Sequence, residues 1–198
     1  SPFVAALSLL AARPAQASGL AFGFTTGTGS WDVFSISALG APLADPQSVG
    51  SPGFDAANGL PPGSLRAEDL AGETWVGETT TVRGNRAALY GVGAVSYDVL
   101  YRYKDAAQYA AVGLYGSTLT IYQPHDEPQL DVWLHWEFPL VAGAWRVGSI
   151  NGPVATEAQI LQVLGDLKGI FIHTEWRTGP DDTSLDNVVL GSCAGAAD

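Results

Sequence analysis

Apolar and polar residues alternate with a period of two through much of the chain, the spacing that sends successive side chains to opposite faces of a strand. In GIFIHTEWR, Ile170, Ile172, Thr174 and Trp176 share one face, and Phe171, His173, Glu175 and Arg177 share the other. QLDVWLHWEFPL sets a core face of Leu130, Val132, Leu134, Trp136 and Phe138 against Asp131, Trp133, His135 and Glu137. AVSYDVLYRY divides in the same way, with Val95, Tyr97, Val99, Tyr101 and Tyr103 opposite Ser96, Asp98 and Arg102, as in a strand with one wet face. QYAAVGLYG and STLTIYQP read as a hairpin turned at Gly116-Ser117, and SLDNVVL is a last β-branched strand behind the turn residues TGPDDTS. The period changes once. Ile160, Val163, Leu164 and Leu167 lie at helical spacing behind Thr156-Glu157-Ala158-Gln159, a capping-box pattern that predicts one short helix near Glu157–Gly165.

Upstream the pattern is looser. Leu20 to Thr25 and Trp31 to Ser37 are short strand-like pieces in which Trp31 and Phe34 anchor a core. Pro52 to Gly63 reads as a surface excursion, and Ser64 to Leu70 as a strand followed by a turn at Ala71-Gly72. Glu68 and Asp69 are adjacent, so only one of them faces inward. Ser1 to Ala17 is an apolar run ending in Ala15-Gln16-Ala17, the small-x-small pattern that a signal peptidase cuts after. Arg13 and Pro14 interrupt it short of the roughly 20 apolar residues of a membrane span. The expected organisation is therefore an export signal over 1–17, one domain over 18–191 and a tail over 192–198.

Composition narrows the class. A chain of 198 residues suits one domain, and 24 Gly and 12 Pro with only 15% charged residues suit many short strands and tight turns, so the fold expected is all-β. The net charge of −11 repels nucleic-acid backbones and anionic lipid, and no Lys or Arg cluster offsets it. Neither nucleic acid nor membrane insertion is expected, and the domain is read as a monomer. The single cysteine, Cys193, excludes an intrachain disulfide and a cysteine-rich zinc site, so packing must supply the stability. His125, His135 and His173 lack metal-ligand spacing, and no nucleophile elbow or phosphate-binding glycine loop occurs.

Several segments in a fixed order carry a resemblance: AEDLAGETW, RAALYGVGAVSYDV, WEFPLVAGAWRVG, ATEAQILQVLGDLKGIFI and EWRTGPDDTSLDNVVL. From about Asp45 to Leu190 the chain resembles the bacterial relatives of the laminin B domain, also called laminin IV type A. EWRTG followed by SLDNV is the most specific part. Tyr90 to Asp98 follows an aromatic-Gly-Gly-x-hydrophobic-Ser-aromatic-Asp pattern, from which Val92 departs slightly. The resemblance implies a jelly-roll β-sandwich of two antiparallel sheets, akin to carbohydrate-binding modules, in an exported protein with no catalytic activity. Similar jelly rolls often hold a structural calcium (Ca2+) between an acidic residue of the first strand and the aspartate of the last, here Asp186. LAFGFTTGTG offers no carboxylate, which leaves Asp69 and backbone carbonyls to complete the oxygens that calcium needs. Relatives tend to place arginines where Phe171 and His173 stand, so a preference for anionic ligands need not carry over.

The polar strand faces supply the candidate binding residues. Trp133, His135 and Glu137, together with His173, Glu175 and Arg177, form an aromatic and polar platform if their strands share a sheet; aromatic faces cover sugar C–H groups while the polar groups meet hydroxyls. The leading expectation is a secreted, non-catalytic module that binds an extracellular glycan or matrix component. A structural or adhesion module with a protein partner is the alternative. The third reading is a glycoside hydrolase using Glu137 and Glu175.

Overall fold

The computed structural model describes residues 19–36, 46–70, 73–105 and 109–192. The expected export segment, the turn at Ala71-Gly72 and the tail with Cys193 lie outside the described residues. The strands are β1 Leu20–Phe22, β2 Trp31–Ser35, β3 Ser48–Gly50, β4 Gly53–Asp55, β5 Ser64–Glu68, β6 Thr74–Glu78, β7 Gly93–Tyr101, β8 Tyr109–Gly116, β9 Thr120–His125, β10 Leu134–Pro139, β11 Arg146–Val147, β12 Leu167–His173 and β13 Asp182–Ser192. They form the two antiparallel sheets of a jelly-roll-like sandwich, as the family resemblance implies. One sheet runs β10-β7-β13-β5-β4, and the other runs β11-β9-β8-β12-β6-β2-β3. β13 is long enough to pair with β5 through Asp182–Leu185 and with β1 through Val188–Leu190, so those two strands share one of its edges.

The inner faces meet in one core. Val95, Val99, Leu185 and Leu190 from the first sheet pack toward Val76, Leu114, Ile170 and Ile172 from the second. Two of its residues are tyrosines because each has a partner in the opposite layer. The Tyr97 hydroxyl donates to the Ala111 carbonyl at 3.0 Å, and that of Tyr101 to the His173 carbonyl at 3.1 Å. Buried hydroxyls thus tie the sheets together instead of being stranded. The helix α1, Glu157–Gly165, has the capping box its sequence announced, and buries Ile160, Val163 and Leu164. It lies close on β8 because Gly116 has no side chain: a Cβ there would sit 3.0 Å from Val163 Cα.

Three strand readings need correction. QLDVWLHWEFPL is a strand only from Leu134, because Asp131 adopts φ 59° and turns the chain; Val132 is consequently exposed rather than core. Tyr103 also leaves the core and carries the Arg177 guanidinium 4.1 Å from its ring centroid. β12 ends at His173, so Glu175 and Arg177 lie beyond the strand.

SLDNV is a β-bulge. Asp186 pairs with Asp98 and Val189 with Ser96, which leaves one extra residue on β13, and Asn187 takes φ 50° to accommodate it. Asp186 accepts the Leu60 and Asn187 backbone N–H groups, each at 2.8 Å, while Asn187 Nδ2 donates to Asp98 Oδ2 at 2.8 Å and to the Leu60 carbonyl. The bulge therefore clasps the 58–63 loop onto the sheet. Replacing Asp186 with Ala should cost about 2 kcal/mol in a urea melt, the range for stranding buried donors. Chelator should shift neither protein; a shift in the parent alone would make Asp186 an ion ligand instead.

Candidate functional site

The two sets of candidate residues do not come together. His135 and Glu137 are exposed on the outward face of β10, in the first sheet, and His135 Nδ1 lies 2.7 Å from Asp98 Oδ1. Trp133, half-buried, precedes that strand. His173 belongs to the second sheet, and the outer faces of a sandwich point in opposite directions. The single platform is therefore not formed. Glu137 is exposed on β10 of the first sheet, whereas Glu175, just beyond β12, accepts the Thr74 N–H of the second sheet at 2.8 Å. Arg177 is engaged with Tyr103 and with the Pro180 carbonyl, 2.7 Å from its Nε.

Asp69 and Asp186 do not meet either. Glu68 pairs with Asp182 and Leu65 with Leu185, so Asp69 lies five positions along β5 from the level of Asp186, roughly 17 Å at strand rise. Those two carboxylates do not fit one calcium ion. Among the described residues no group of three or more His, Cys, Asp or Glu side chains has metal-binding geometry.

Parity gives the direction of Phe171 and His173 correctly but not their surroundings. Both face outward from the second sheet, yet they are 0% and 1% exposed. That outer face carries an aromatic layer of its own, made of Phe34, Trp75, Tyr122 and Phe171 with Ile36, Ala110 and Ile150. The register builds it. Phe34, Trp75 and His173 follow one another across β2, β6 and β12, while Gly77, Phe171, Gly113 and Tyr122 make the next row across β6, β12, β8 and β9. The glycines leave room for the rings: a Cβ on Gly77 would meet the Phe171 ring at 2.5 Å, and one on Gly113 the Tyr122 ring at 3.0 Å.

The His173 ring sits between Trp75, at a centroid distance of 4.4 Å, and Tyr109, at 5.1 Å. Burial lowers its pKa to about 3, so the imidazole is neutral at physiological pH. Neither of its ring nitrogens has a hydrogen-bond partner, and neither does the buried Trp75 Nε1. Nearby, burial and then the charge of Glu175 push the Glu73 carboxyl up to about 7. Glu175 is itself raised by burial, although its carboxylate accepts the Thr74 N–H at 2.8 Å. Tyr122 is raised to about 12, by burial first and Glu73 second. The site thus combines aromatic rings, unspent ring nitrogens and carboxyls that burial makes harder to ionise. It can exchange hydrogen bonds with neutral hydroxyls and disfavours an anion.

Sequence reasoning singled out His173 and Glu175 but missed Glu73, Tyr109 and Tyr122, and placed Trp75 only beyond a turn. The signal available was that apolar residues occupy both parities of Asp32-Val33-Phe34, Trp75-Val76 and Ile170-Phe171-Ile172, which implies strands covered on both faces.

A family model described as Laminin B (Domain IV) matches residues 80–198. No curated protein matches the sequence. Among solved structures, the L4b domain of human laminin alpha-2 aligns with TM-score 0.60 at 12% identity, over 81% of this chain and 96% of that one. The family 11 carbohydrate-binding module of the cellulosomal cellulase Lic26A-Cel5E of Clostridium thermocellum aligns with TM-score 0.55 at 11% identity, over 88% and 95%. A family 11 module from Clostridium thermocellum in complex with a β-1,3-1,4-mixed-linked tetrasaccharide gives TM-score 0.53 at 12% identity, over the same shares. At such identities these structures agree on the fold.

Proposed function

The chain belongs to the laminin B (domain IV) family, and on that premise we propose that it is an exported, non-catalytic module that binds a neutral glycan of the extracellular matrix through the outer face of its second sheet. The observation that carries this reading is the trio of unpartnered ring nitrogens, His173 Nδ1, His173 Nε2 and Trp75 Nε1, buried in an aromatic layer. Buried polar atoms without partners are rare and mark strain or function. A neutral imidazole offers one donor and one acceptor, and an indole offers one donor, which is the complement of sugar hydroxyls. The rings beside them present the apolar faces on which sugar C–H groups rest. Because Trp75 and His173 are covered, the ligand reaches them only when neighbouring side chains move aside. No described helix is long and apolar enough to cross a membrane.

The tetrasaccharide held by the similar carbohydrate-binding module makes mixed-linked β-glucan the first probe. In affinity electrophoresis against a panel of neutral and acidic polysaccharides, a neutral polymer should retard the parent. His173→Phe and Trp75→Phe keep the aromatic layer but remove the nitrogens; the first, which loses a donor and an acceptor, should weaken that retention by about tenfold, and the second, which loses one donor, by about threefold. Without ligand, His173→Phe should be about 1 kcal/mol more stable than the parent, since it removes buried groups that nothing satisfies. Equal retention of all three proteins, or retention by acidic polymers alone, would overturn the assignment.

A further inference from the structure

The edge of the sandwich beyond β2 carries a second surface that the glycan reading does not use. β3 ends the second sheet and β4 ends the first, and only Ser51 and Pro52 separate them, so the edges of both sheets lie side by side. A cavity of about 500 Å³ follows this edge, lined by the consecutive residues Ser51 to Ala57 and closed by Arg66, Glu68 and Leu70. Its apolar part is open to solvent: Phe54 is 42% exposed and Leu70 52%, with Val49 beside them at 47%. Leu70 reaches the start of the turn, since a Cβ on Gly50 would lie 3.4 Å from its Cδ1. Among the described residues β4 pairs with β5 alone, so one side of its backbone has no strand partner.

An unpaired edge beside exposed apolar side chains is a template for strand addition, and natural sheets usually guard such edges with lysine, proline or a cover. Here the strand itself, Gly53-Phe54-Asp55, holds no lysine or proline; its one charge is the carboxylate of Asp55, which an acidic partner would meet as repulsion and a basic one as attraction. We propose that this groove docks an extended, basic segment of a protein partner, which adds as a strand to β4 with alternate apolar side chains against Phe54 and Leu70. Charge selects the occupant. The groove is lined by two carboxylates, Asp55 and Glu68, and one cation, Arg66, whose guanidinium already lies 2.8 Å from Asp182 at its Nη2 and 3.3 Å from Glu68; Asp182 also pairs with Arg102 at 3.1 Å, which leaves the lining itself net acidic. The whole chain is −11, so a second copy would bring the same acidic edge and be repelled, whereas a basic segment is attracted.

The test uses the full chain, labelled with 15N, and an end-capped peptide of about eight alternating Lys and Val residues, the length of one strand. Two controls accompany it: the same peptide N-methylated at alternate backbone positions, which keeps the charge but cannot pair, and a Glu-Val counterpart. Lys-Val peptide should shift the amides of residues 51 and 53–57 and slow hydrogen exchange at those β4 amides that point away from β5, while both controls leave them unmoved. Phe54→Lys, at an exposed position, should weaken binding by about tenfold through lost apolar contact and like charge. Equal binding of the N-methylated peptide would show attraction to net charge only and overturn strand addition, as would amide shifts confined to other surfaces. Because His173→Phe leaves this flank intact, it should bind the peptide as the parent does, which keeps this outcome separate from that of the glycan assay.

Discussion

Glu78→Ala is expected to lower the stability of the domain by about 4 kcal/mol, a large share of the roughly 5–15 kcal/mol that holds a domain folded. Glu78 closes β6 on its core side and is fully buried, opposite Trp31 and Ile170. Its carboxylate accepts the backbone N–H groups of Thr80 at 3.0 Å, Thr81 at 2.9 Å and Val82 at 2.8 Å, with the hydroxyls of Ser30, at 2.8 Å, and Thr80. Burial pushes its pKa up, but those donors outweigh burial and leave it below the ordinary value. Alanine would take the acceptor from three backbone donors and two hydroxyls at once: the buried Val82 N–H is left unsatisfied at about 1–3 kcal/mol, and the part-buried bonds of Ser30, Thr80 and Thr81 add the rest. Glu78→Gln, which keeps one carbonyl oxygen, should cost about half as much. Urea midpoints at unchanged m-value measure both. A loss below about 1 kcal/mol for the alanine variant would mean that water replaces the carboxylate and the loop has another anchor.

The domain should also become more stable as the pH falls from about 7.5 to about 5, the reverse of ordinary acid sensitivity. Burial raises Asp181 from 3.8 to about 7, against the lowering effect of the Arg177 and Trp176 N–H groups it accepts, and burial with Glu175 raises Glu73 from 4.5 to about 7. Groups raised in the folded state stabilise it fully below their unfolded pKa values, and that contribution is lost as the pH rises through 7. His173 acts in the other sense. Its pKa falls from 6.5 to about 3 on folding, so below 6.5 the unfolded chain takes up a proton that the folded one refuses. Near pH 6 the folded state gains about two protons against about one, a net slope of about 1 kcal/mol per pH unit after allowance for solvent around Glu73. Below about pH 4.5 the lowered Glu78 turns the curve downward. Thermal melts across this range should show the maximum near pH 5. Asp181→Asn should flatten the rise, and His173→Phe should steepen it; a parent that is most stable at pH 7.5 would contradict these protonation states.

Local features were legible in the chain. The helix followed from Thr156 and Gln159 with Ile160, Val163 and Leu164, because a capping box and a helical stripe are both short-range, whereas Leu167, read into the same stripe, opens β12 instead. Face parity in β7, β10 and β12 was also right, since the pleat fixes it residue by residue. What failed was non-local or hidden in one dihedral. Nothing in QLDVWLHWEFPL announces that Asp131 takes φ 59°, yet that angle moves Val132 out of the core. Membership of β10 and β12 in different sheets depends on pairing across distant segments, and it separated His135 and Glu137 from His173. The family resemblance was correct over the matched residues, but Asp69, put forward in place of the missing first-strand acid, is set apart from Asp186 by strand register. Glu78 escaped notice although its partners are local: an acid that ends a strand before Thr79-Thr80-Thr81-Val82 has backbone donors within reach.

The central claim is that His173 lends its unpartnered ring nitrogens to a neutral glycan. Long-range 1H–15N spectra of the histidine side chains, recorded while mixed-linked β-glucan oligosaccharide is added, read those nitrogens directly. The account predicts a His173 ring that stays neutral from about pH 5 to pH 8, in keeping with burial, and whose nitrogens shift on ligand addition while those of His125 and His135 do not. A His173 signal unmoved at saturation, with shifts at His135 instead, would place the glycan on the first sheet and contradict the site.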